Sequence, residues 1–332
     1  MSDGSIVAWG AIPPVLAPPG GPSLRAAAPV PVAGPPAQPA AAQAFVTDRS
    51  ACVRAADGAV RCLDAGAAAG TPATFDVARG FESGVVELVS NCAAPASGGV
   101  KCGIGLQGVT PFSAVGSAGM GPVADLAVGF SGGCVLRPDG TVECWAGAAF
   151  TNTSPPGGSN VKTMPVQELG GRAVAVAVGD DACALREDGA VLCWNMDGYL
   201  PFTAERVQLP AAAVGVTAAS GVFCWRSAYG LGCHSDEFHG HACAWTAAGD
   251  LYCWGRDNTY GQLGDGTVAP RASAVHATAP GGPVLSASAG TRQTCALRAA
   301  DHRLVCWGWN GAGELGTGTG GPRATAATVA LP

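Results

Sequence analysis

Short apolar runs stopped by a glycine recur along the chain: Val123-Ala-Asp-Leu-Ala-Val-Gly129, Val174-Ala-Val-Ala-Val-Gly179 and Val284-Leu-Ser-Ala-Ser-Ala-Gly290. Their length and valine content predict strands. A second strand carrying a cysteine follows each, then a turn, then a third strand ending in Cys-Trp at Trp145, Trp194, Trp254 and Trp307. The turns read Ala56-Asp57-Gly58, Pro138-Asp139-Gly140, Glu187-Asp188-Gly189 and Ala247-Ala248-Gly249, so each cysteine-bearing stretch predicts a hairpin.

The cysteines fall into pairs: Cys52/Cys62, Cys92/Cys102, Cys134/Cys144, Cys183/Cys193, Cys224/Cys233, Cys243/Cys253 and Cys295/Cys306. In the fourth pair, a three-residue loop at 187 to 189 with Gly189 left-handed sets 186 against 190 and therefore Cys183 against Cys193. Directly opposed strand residues lie about 4.5 to 5.5 Å apart at Cα, within reach of a disulfide. Opposed pairs suit an oxidising compartment, extracellular, cell-surface or periplasmic; buried paired thiols in the cytosol are the other reading. Zinc knuckles need C-x2-C, which the chain lacks.

The whole unit repeats, with first cysteines at 52, 92, 134, 183, 243 and 295. Three short strands and a looped fourth per unit describe a propeller blade, with the Cys-Trp tryptophan filling the gap between neighbouring sheets. The expected fold is all-β, a β-propeller, seven-bladed, with an N-terminal strand closing the ring.

Cys253-Trp-Gly-Arg-Asp-Asn-Thr-Tyr-Gly-Gln-Leu-Gly-Asp-Gly-Thr267 and Cys306-Trp-Gly-Trp-Asn-Gly-Ala-Gly-Glu-Leu-Gly-Thr-Gly-Thr319 resemble the signature of the regulator-of-chromosome-condensation repeat family. The resemblance is strong over 205–330 and weaker before, where the hairpins keep the cysteines but lose the Gly-Gln-Leu-Gly tail. It implies a seven-bladed propeller. Such proteins include guanine-nucleotide exchange factors, extracellular domains of crinkly-type plant receptor kinases, secreted β-lactamase inhibitors and cysteine-paired bacterial proteins; the paired cysteines resemble the extracellular branches.

A single domain over 1–332 is expected. Asp3-Gly-Ser-Ile-Val-Ala-Trp-Gly10 matches the third strand Asp139-Gly-Thr-Val-Glu-Cys-Trp145, making 1–10 a closing strand. Residues 11–43 are Pro- and Ala-rich and read as an extended connection with room for one degenerate strand pair, and 44–332 carry the repeats. The Cys224/Cys233 segment has only nine residues before the next cysteine, too few for two more strands, so 222–241 reads as an insertion rather than a blade.

Composition narrows the partners. Gly 50 and Pro 25 among 332 residues, with 13% charged, exclude a long-helix or coiled-coil protein. A net charge of -6, with two lysines against sixteen arginines, leaves no electrostatic footprint for nucleic acid or anionic membrane. No apolar run reaches the roughly 18 residues of a membrane span, and residues 1–10 lack the basic and apolar regions of a signal peptide.

Several motifs mimic chemistry. Gly129-Phe-Ser-Gly-Gly133 fits a nucleophile elbow, yet no helix follows Ser131 and the place is the ordinary turn before a first-cysteine strand. Gly103-Ile-Gly-Leu-Gln-Gly108 and Gly311-Ala-Gly-Glu-Leu-Gly316 fit a dinucleotide loop without its helix, and both read as repeat loops. Asn152-Thr-Ser154 is an acceptor for N-glycosylation in a suitable host.

The insertion departs from the repeat. His234, Asp236, Glu237, His239 and His241 offer imidazole and carboxylate ligands to zinc or a similar ion, with His234, Asp236, His239 and His241 the candidate set. Trp225, Arg226, Tyr229 and Phe238 are of types enriched at interface hot spots, on a loop closed by cysteines. A stapled loop with no role is the plain alternative. The expectation is a non-enzymatic, secreted or cell-surface propeller without cofactor, binding a protein or other extracellular macromolecule through rim loops. The alternatives are an intracellular exchange-factor-like regulator and a metal-dependent enzyme using 234–241.

Overall fold

The computed structural model describes residues 7–12, 24–31, 41–46, 50–64, 75–77, 81–89, 92–102, 112–115, 121–129, 132–146, 163–196, 201–219, 223–227, 230–234, 240–311, 313–318 and 321–329. Every regular element among them is a strand. β1 (Val7–Ile12) and β2 (Leu24–Pro31) form a two-stranded sheet. The first four-stranded blade is β3 (Ala41–Val46), β4 (Ser50–Ala55), β5 (Val60–Asp64) and β6 (Phe75–Val77). The second is β7 (Val85–Val89), β8 (Cys92–Pro95), β9 (Val100–Cys102) and β10 (Phe112–Val115). The third is β11 (Asp125–Val128), β12 (Gly132–Leu136), β13 (Val142–Ala146) and β14 (Met164–Pro165), and the fourth β15 (Ala173–Val178), β16 (Asp181–Arg186), β17 (Val191–Asn195) and β18 (Glu205–Arg206). In the fifth, β19 (Ala213–Ala219) is followed by β20 (Phe223–Ser227) and β21 (Gly230–His234), which pair only with each other. β22 (His241–Thr246), β23 (Leu251–Gly255) and β24 (Arg271–His276) then complete the sheet on β19. The sixth is β25 (Val284–Ala289), β26 (Gln293–Arg298), β27 (Leu304–Gly308) and β28 (Arg323–Thr328).

All pairings within blades are antiparallel, and the blades' first strands touch in succession, β3 to β7 to β11 to β15 to β19 to β25. First strands therefore surround an axis. Six four-stranded blades and the two-stranded β1–β2 unit make an all-β propeller of seven units. The Pro/Ala-rich stretch is more than a connection, because β2 and the start of β3 lie in it and β2 is the partner of β1.

The hairpins have the geometry that their turns dictate. Arg186 N–H donates to the Ala190 carbonyl at 2.9 Å, Gly189 has φ 79°, and Cys183 stands opposite Cys193. Disulfides close Cys52–Cys62, Cys134–Cys144, Cys183–Cys193, Cys243–Cys253 and Cys295–Cys306, with Cα atoms 4.0 to 4.1 Å apart. Cys92 is also disulfide-bonded, and the backbone sets it opposite Cys102. Cys224 stands opposite Cys233 in the same way; the side chains of Cys102, Cys224 and Cys233 lie outside the described residues.

Blades join through their tryptophans. Trp145 packs with Cys92, Ala94 and Val100 of the second blade, Trp194 with Ala127, Cys134 and Leu136 of the third, and Trp307 with Cys243, Leu251 and Leu263 of the fifth. Trp254, half-buried, packs against Cys183, Leu185 and Val191 of the fourth. Burying an indole at 25 cal/mol per Å² stabilises each seam by roughly 4 to 6 kcal/mol before chain ordering is counted. The turns add a repeated hydrogen bond: the carbonyls of Gly58, Gly140, Gly189 and Gly249 accept the N–H of Val85, Ala173, Ala213 and Val284, each opening the next blade, at 2.9 to 3.0 Å.

Candidate functional site

Alternating strand direction divides the connections between two faces. Links from second to third strand and from fourth strand to the next blade lie on one, the turn face; links from first to second and from third to fourth lie on the other, the loop face. The β20–β21 hairpin lies between β19 and β22 and so belongs to the loop face. Its root is clamped. A Cβ on Gly240 would fall 1.8 Å from the Ala219 carbonyl oxygen, so only glycine fits, and the Gly240 N–H donates to Asp180 of the fourth blade.

Beside that root, the loop from β23 to β24 is braced from within. Asn258 is 1% exposed; its Oδ1 accepts the Leu263 N–H at 2.9 Å and its Nδ2 donates to the carbonyls of Thr267 and Ala269 at 3.1 and 2.9 Å. Gln262, fully buried, donates through Nε2 to Asp257 at 3.0 Å and accepts the Tyr260 N–H through Oε1 at 3.1 Å. The Gln262 carbonyl takes two donors from the sixth blade, Thr294 Oγ1 at 2.7 Å and Trp307 Nε1 at 2.9 Å. The sixth blade repeats the device with Asn310, whose Oδ1 accepts the Leu315 N–H at 2.9 Å. Buried amides with their bonds satisfied fix one loop conformation.

What this bracing presents is an aromatic and cationic set at the seam. The rings of Tyr260 and Trp309 meet edge to face at 4.7 Å, and the Arg292 guanidinium lies 5.5 Å from the Tyr260 centroid. All three are half-buried, and the Trp309 N–H is tied to the Arg292 carbonyl at 2.8 Å. Rigid Tyr, Trp and Arg with part of their surface open are the residue types that dominate binding interfaces. Sequence reasoning missed them as contacts, because they sit inside the repeat signature and meet only when blades five and six dock.

The residues singled out on the insertion divide by position. Trp225 and Arg226 lie on β20 opposite Gly232 and Leu231, and His234 ends β21 opposite Phe223; only their backbone is described. Tyr229, Asp236, Glu237, Phe238 and His239 lie outside the described residues, as do Ser131, Gly103 to Gly108 and Asn152 to Ser154. The loop at 311–316 is the asparagine-braced repeat loop, with β28 after it.

His241 opens β22 and is 3% exposed. The Thr294 hydroxyl proton goes to Gln262, so His241 Nε2 donates to Thr294 Oγ1 at 2.7 Å and Nδ1 is left bare, buried and without a partner. Burial pushes its pKa down to about 4 against the pull of the nearby Asp257 carboxylate. Among the described residues no group of three His, Cys, Asp or Glu side chains could hold a metal ion. No described helix is long and apolar enough to cross a membrane.

Hairpin disulfides, tryptophan seams and stacked four-stranded blades define the chain as a β-propeller. Residues 248–297 match the Regulator of chromosome condensation (RCC1) repeat, and the fold around them is a propeller of the RCC1 kind. No curated protein matches it in sequence. Among solved structures, Prp20p from Saccharomyces cerevisiae superposes with a TM-score of 0.66 at 16% identity, covering 98% of this chain and 86% of that one. Human WBSCR16 gives 0.65 at 15% identity, covering 99% and 95%. Yeast RCC1 (Prp20) bound to Kap60 gives 0.66 at 17% identity, covering 98% and 84%. At these identities the likeness is one of fold. The Prp20p structure is described with that protein's binding to Gsp1p and histones.

Proposed function

We propose that the protein is a non-enzymatic binding propeller of an oxidising compartment, secreted, cell-surface or periplasmic, whose loop face takes a macromolecular partner. The observation that carries this reading is the Tyr260, Trp309 and Arg292 set, half-buried and held on loops whose amides are buried and bonded. The β20–β21 hairpin lies between β19 and β22 on the same face, and we propose Trp225, Arg226, Tyr229 and Phe238 of the insertion as further partner contacts. Support for the compartment comes from the five disulfides, each between opposed strands of one hairpin. Support for a protein partner comes from Prp20p, described in complex with Kap60.

The test is to cross-link the protein to its partner in the native extracellular or periplasmic fraction and compare variants. Tyr260→Ala with Trp309→Ala should lower capture at least about tenfold, the size expected for paired hot-spot residues. Arg172→Ala, exposed on the turn face, should leave it unchanged. Equal capture by all three proteins would place the recognition surface elsewhere. Free thiols in the native protein would overturn the compartment.

A further inference from the structure

Building on the loop-face reading above, we propose that the partner presents an acidic peptide segment, a stretch bearing Asp or Glu side chains, to the seam of the fifth and sixth blades. Its carboxylates would be taken by Arg256, Arg292 and Arg323, which share that seam with Tyr260 and Trp309. Strand direction places all three arginines. Arg256 is the first residue after β23, Arg292 the last before β26, and Arg323 the first of β28, so each lies at the loop-face end of its strand. Arg256 and Arg323 are exposed and Arg292 is half-buried. Two of them border the aromatic pair directly. The Arg292 guanidinium lies 5.5 Å from the Tyr260 centroid, and Arg323 precedes Ala324, whose Cα is 2.5 Å from where a Cβ on Gly261 would fall. Arg256 belongs to the braced loop that carries Tyr260.

Charge is balanced differently on the two faces. The turn-face arginines are matched within the chain: Arg61 with Asp57, Arg137 with Glu143, Arg172 with Glu187, Arg186 with Asp188, and Arg298 and Arg303 with Asp301. Arg271, on the loop face, is matched with Asp265 at 2.8 Å. Arg256 has no ion pair or hydrogen bond from its side chain among the described residues. The carboxylates of its own loop are already engaged. Asp257 is 6% exposed and accepts the Thr259 N–H at 2.8 Å, the Thr259 hydroxyl and Gln262 Nε2 at 3.0 Å. Asp265 holds Arg271 and Thr267. A guanidinium left unmatched beside rigid rings offers a carboxylate two parallel N–H donors, and the rings exclude water from the pair once a partner covers them.

The surroundings restrict the occupant to a short acidic stretch. A basic segment would meet like charge at three arginines, and a neutral one would cover Arg256 without giving it a partner. A long polyanion, a nucleic acid or a sulfated polysaccharide, would run off the seam. Beside it, at the loop-face end of the fourth blade, stand Asp180, which takes the Gly240 N–H, and the exposed Asp181. The whole chain carries a net charge of -6. Positive charge is thus confined to a spot that a few acidic side chains can match, on a protein that repels extended anions.

Fluorescence anisotropy of the full chain with a fluorescein-labelled peptide of alternating Glu and Ala, beside Gln/Ala and Lys/Ala peptides of the same length, tests this. The Glu peptide should bind at least about tenfold tighter than the Gln peptide, with the Lys peptide weakest, and the preference should shrink as NaCl rises from about 50 to about 500 mM. Arg256→Glu and Arg323→Glu should each weaken the Glu peptide at least about fivefold, and Arg256→Lys should keep most of the affinity. Arg172→Glu, on the turn face, should not change it. Near-UV circular dichroism reports folding of each variant. No binding of the Glu peptide, equal binding of the Gln peptide, or an affinity that either arginine reversal leaves unchanged would overturn the proposal. So would a heparin fragment bound more tightly than the Glu peptide, which would point to a sulfated polysaccharide. Partner capture separates this outcome from failure of the loop-face reading. Capture lost in Tyr260→Ala with Trp309→Ala but kept in Arg256→Glu would leave the recognition surface in place and remove the acidic segment from it.

Discussion

The two faces of this propeller are built from the same strands and differ in almost everything else. On the turn face, four blades close with a glycine whose carbonyl receives the next blade's first N–H, and the turn carboxylates of Asp57, Asp139, Asp188 and Asp301 each accept an N–H two residues on. On the loop face, the link between first and second strands is three residues in the third blade, 129–131, and spans 220–240 in the fifth. Repetition on one side joins the blades, and that frees the other side to vary. Trp307 and Trp309 compress the contrast into three residues: the first is fully buried in the seam, the second faces the loop side against Tyr260.

The strongest way to break the comparison is to exchange those roles. Trp307→Ala should cost about 3 to 5 kcal/mol in urea unfolding, the usual loss for a buried aromatic, and Trp309→Ala less than about 1 kcal/mol while impairing partner capture. Equal losses would mean the loop face carries the fold as much as the seam does. Next comes the staple. Cys183→Ser with Cys193→Ser releases a loop of about eleven residues and should lower stability by roughly 2.5 to 3 kcal/mol in the chain-entropy treatment.

Acid sharpens the contrast. His241, at the root of the insertion, is neutral when folded with a pKa of about 4 against an ordinary value of 6.5. Unfolded chains take up its proton first, so stability should fall as pH drops from 6.5 and level off below about 4, by on the order of 3 kcal/mol. His241→Gln should flatten that slope in thermal melts at stepped pH. The smallest effect belongs to the turn face. Backbone N–H groups hold Asp57, Asp139 and Asp188 below the usual carboxylate range, and the Arg298 guanidinium holds Asp301 at about 2. Their depressed values contribute stability above about pH 4 that is lost as pH falls through the folded pKa values. Asp188→Ala should remove only a slight part of that acid limb.

Much of the turn face could be read from the chain, because its determinants are local. Asp188-Gly189 sets the turn, the turn sets the register, and the register brings Cys183 to Cys193. The Cys-Trp tryptophans were legible as seam residues for a similar reason, each recurring directly after the second cysteine of its unit. The exposure of Val174 was not. Val174-Ala-Val-Ala-Val178 alternates perfectly and implies that Val174, Val176 and Val178 share a buried face, yet the bulge exposes the first and leaves the other two buried. Nothing in the alternation announces a bulge. The loop-face set was hidden by distance along the chain, since Tyr260, Arg292 and Trp309 converge through docking of two blades.

The hairpin disulfides bear on how the molecule is made. Each joins a cysteine to the very next one in sequence, 52 with 62, 134 with 144, 183 with 193, 243 with 253 and 295 with 306. That is the order in which thiols become available when a chain is delivered from its amino end into an oxidising compartment. Short loops close within microseconds, far faster than residues are delivered. Native connectivity is thus the connectivity of first encounter, and the reduced, unfolded protein should regain its disulfides with a thiol oxidant alone, without a disulfide isomerase.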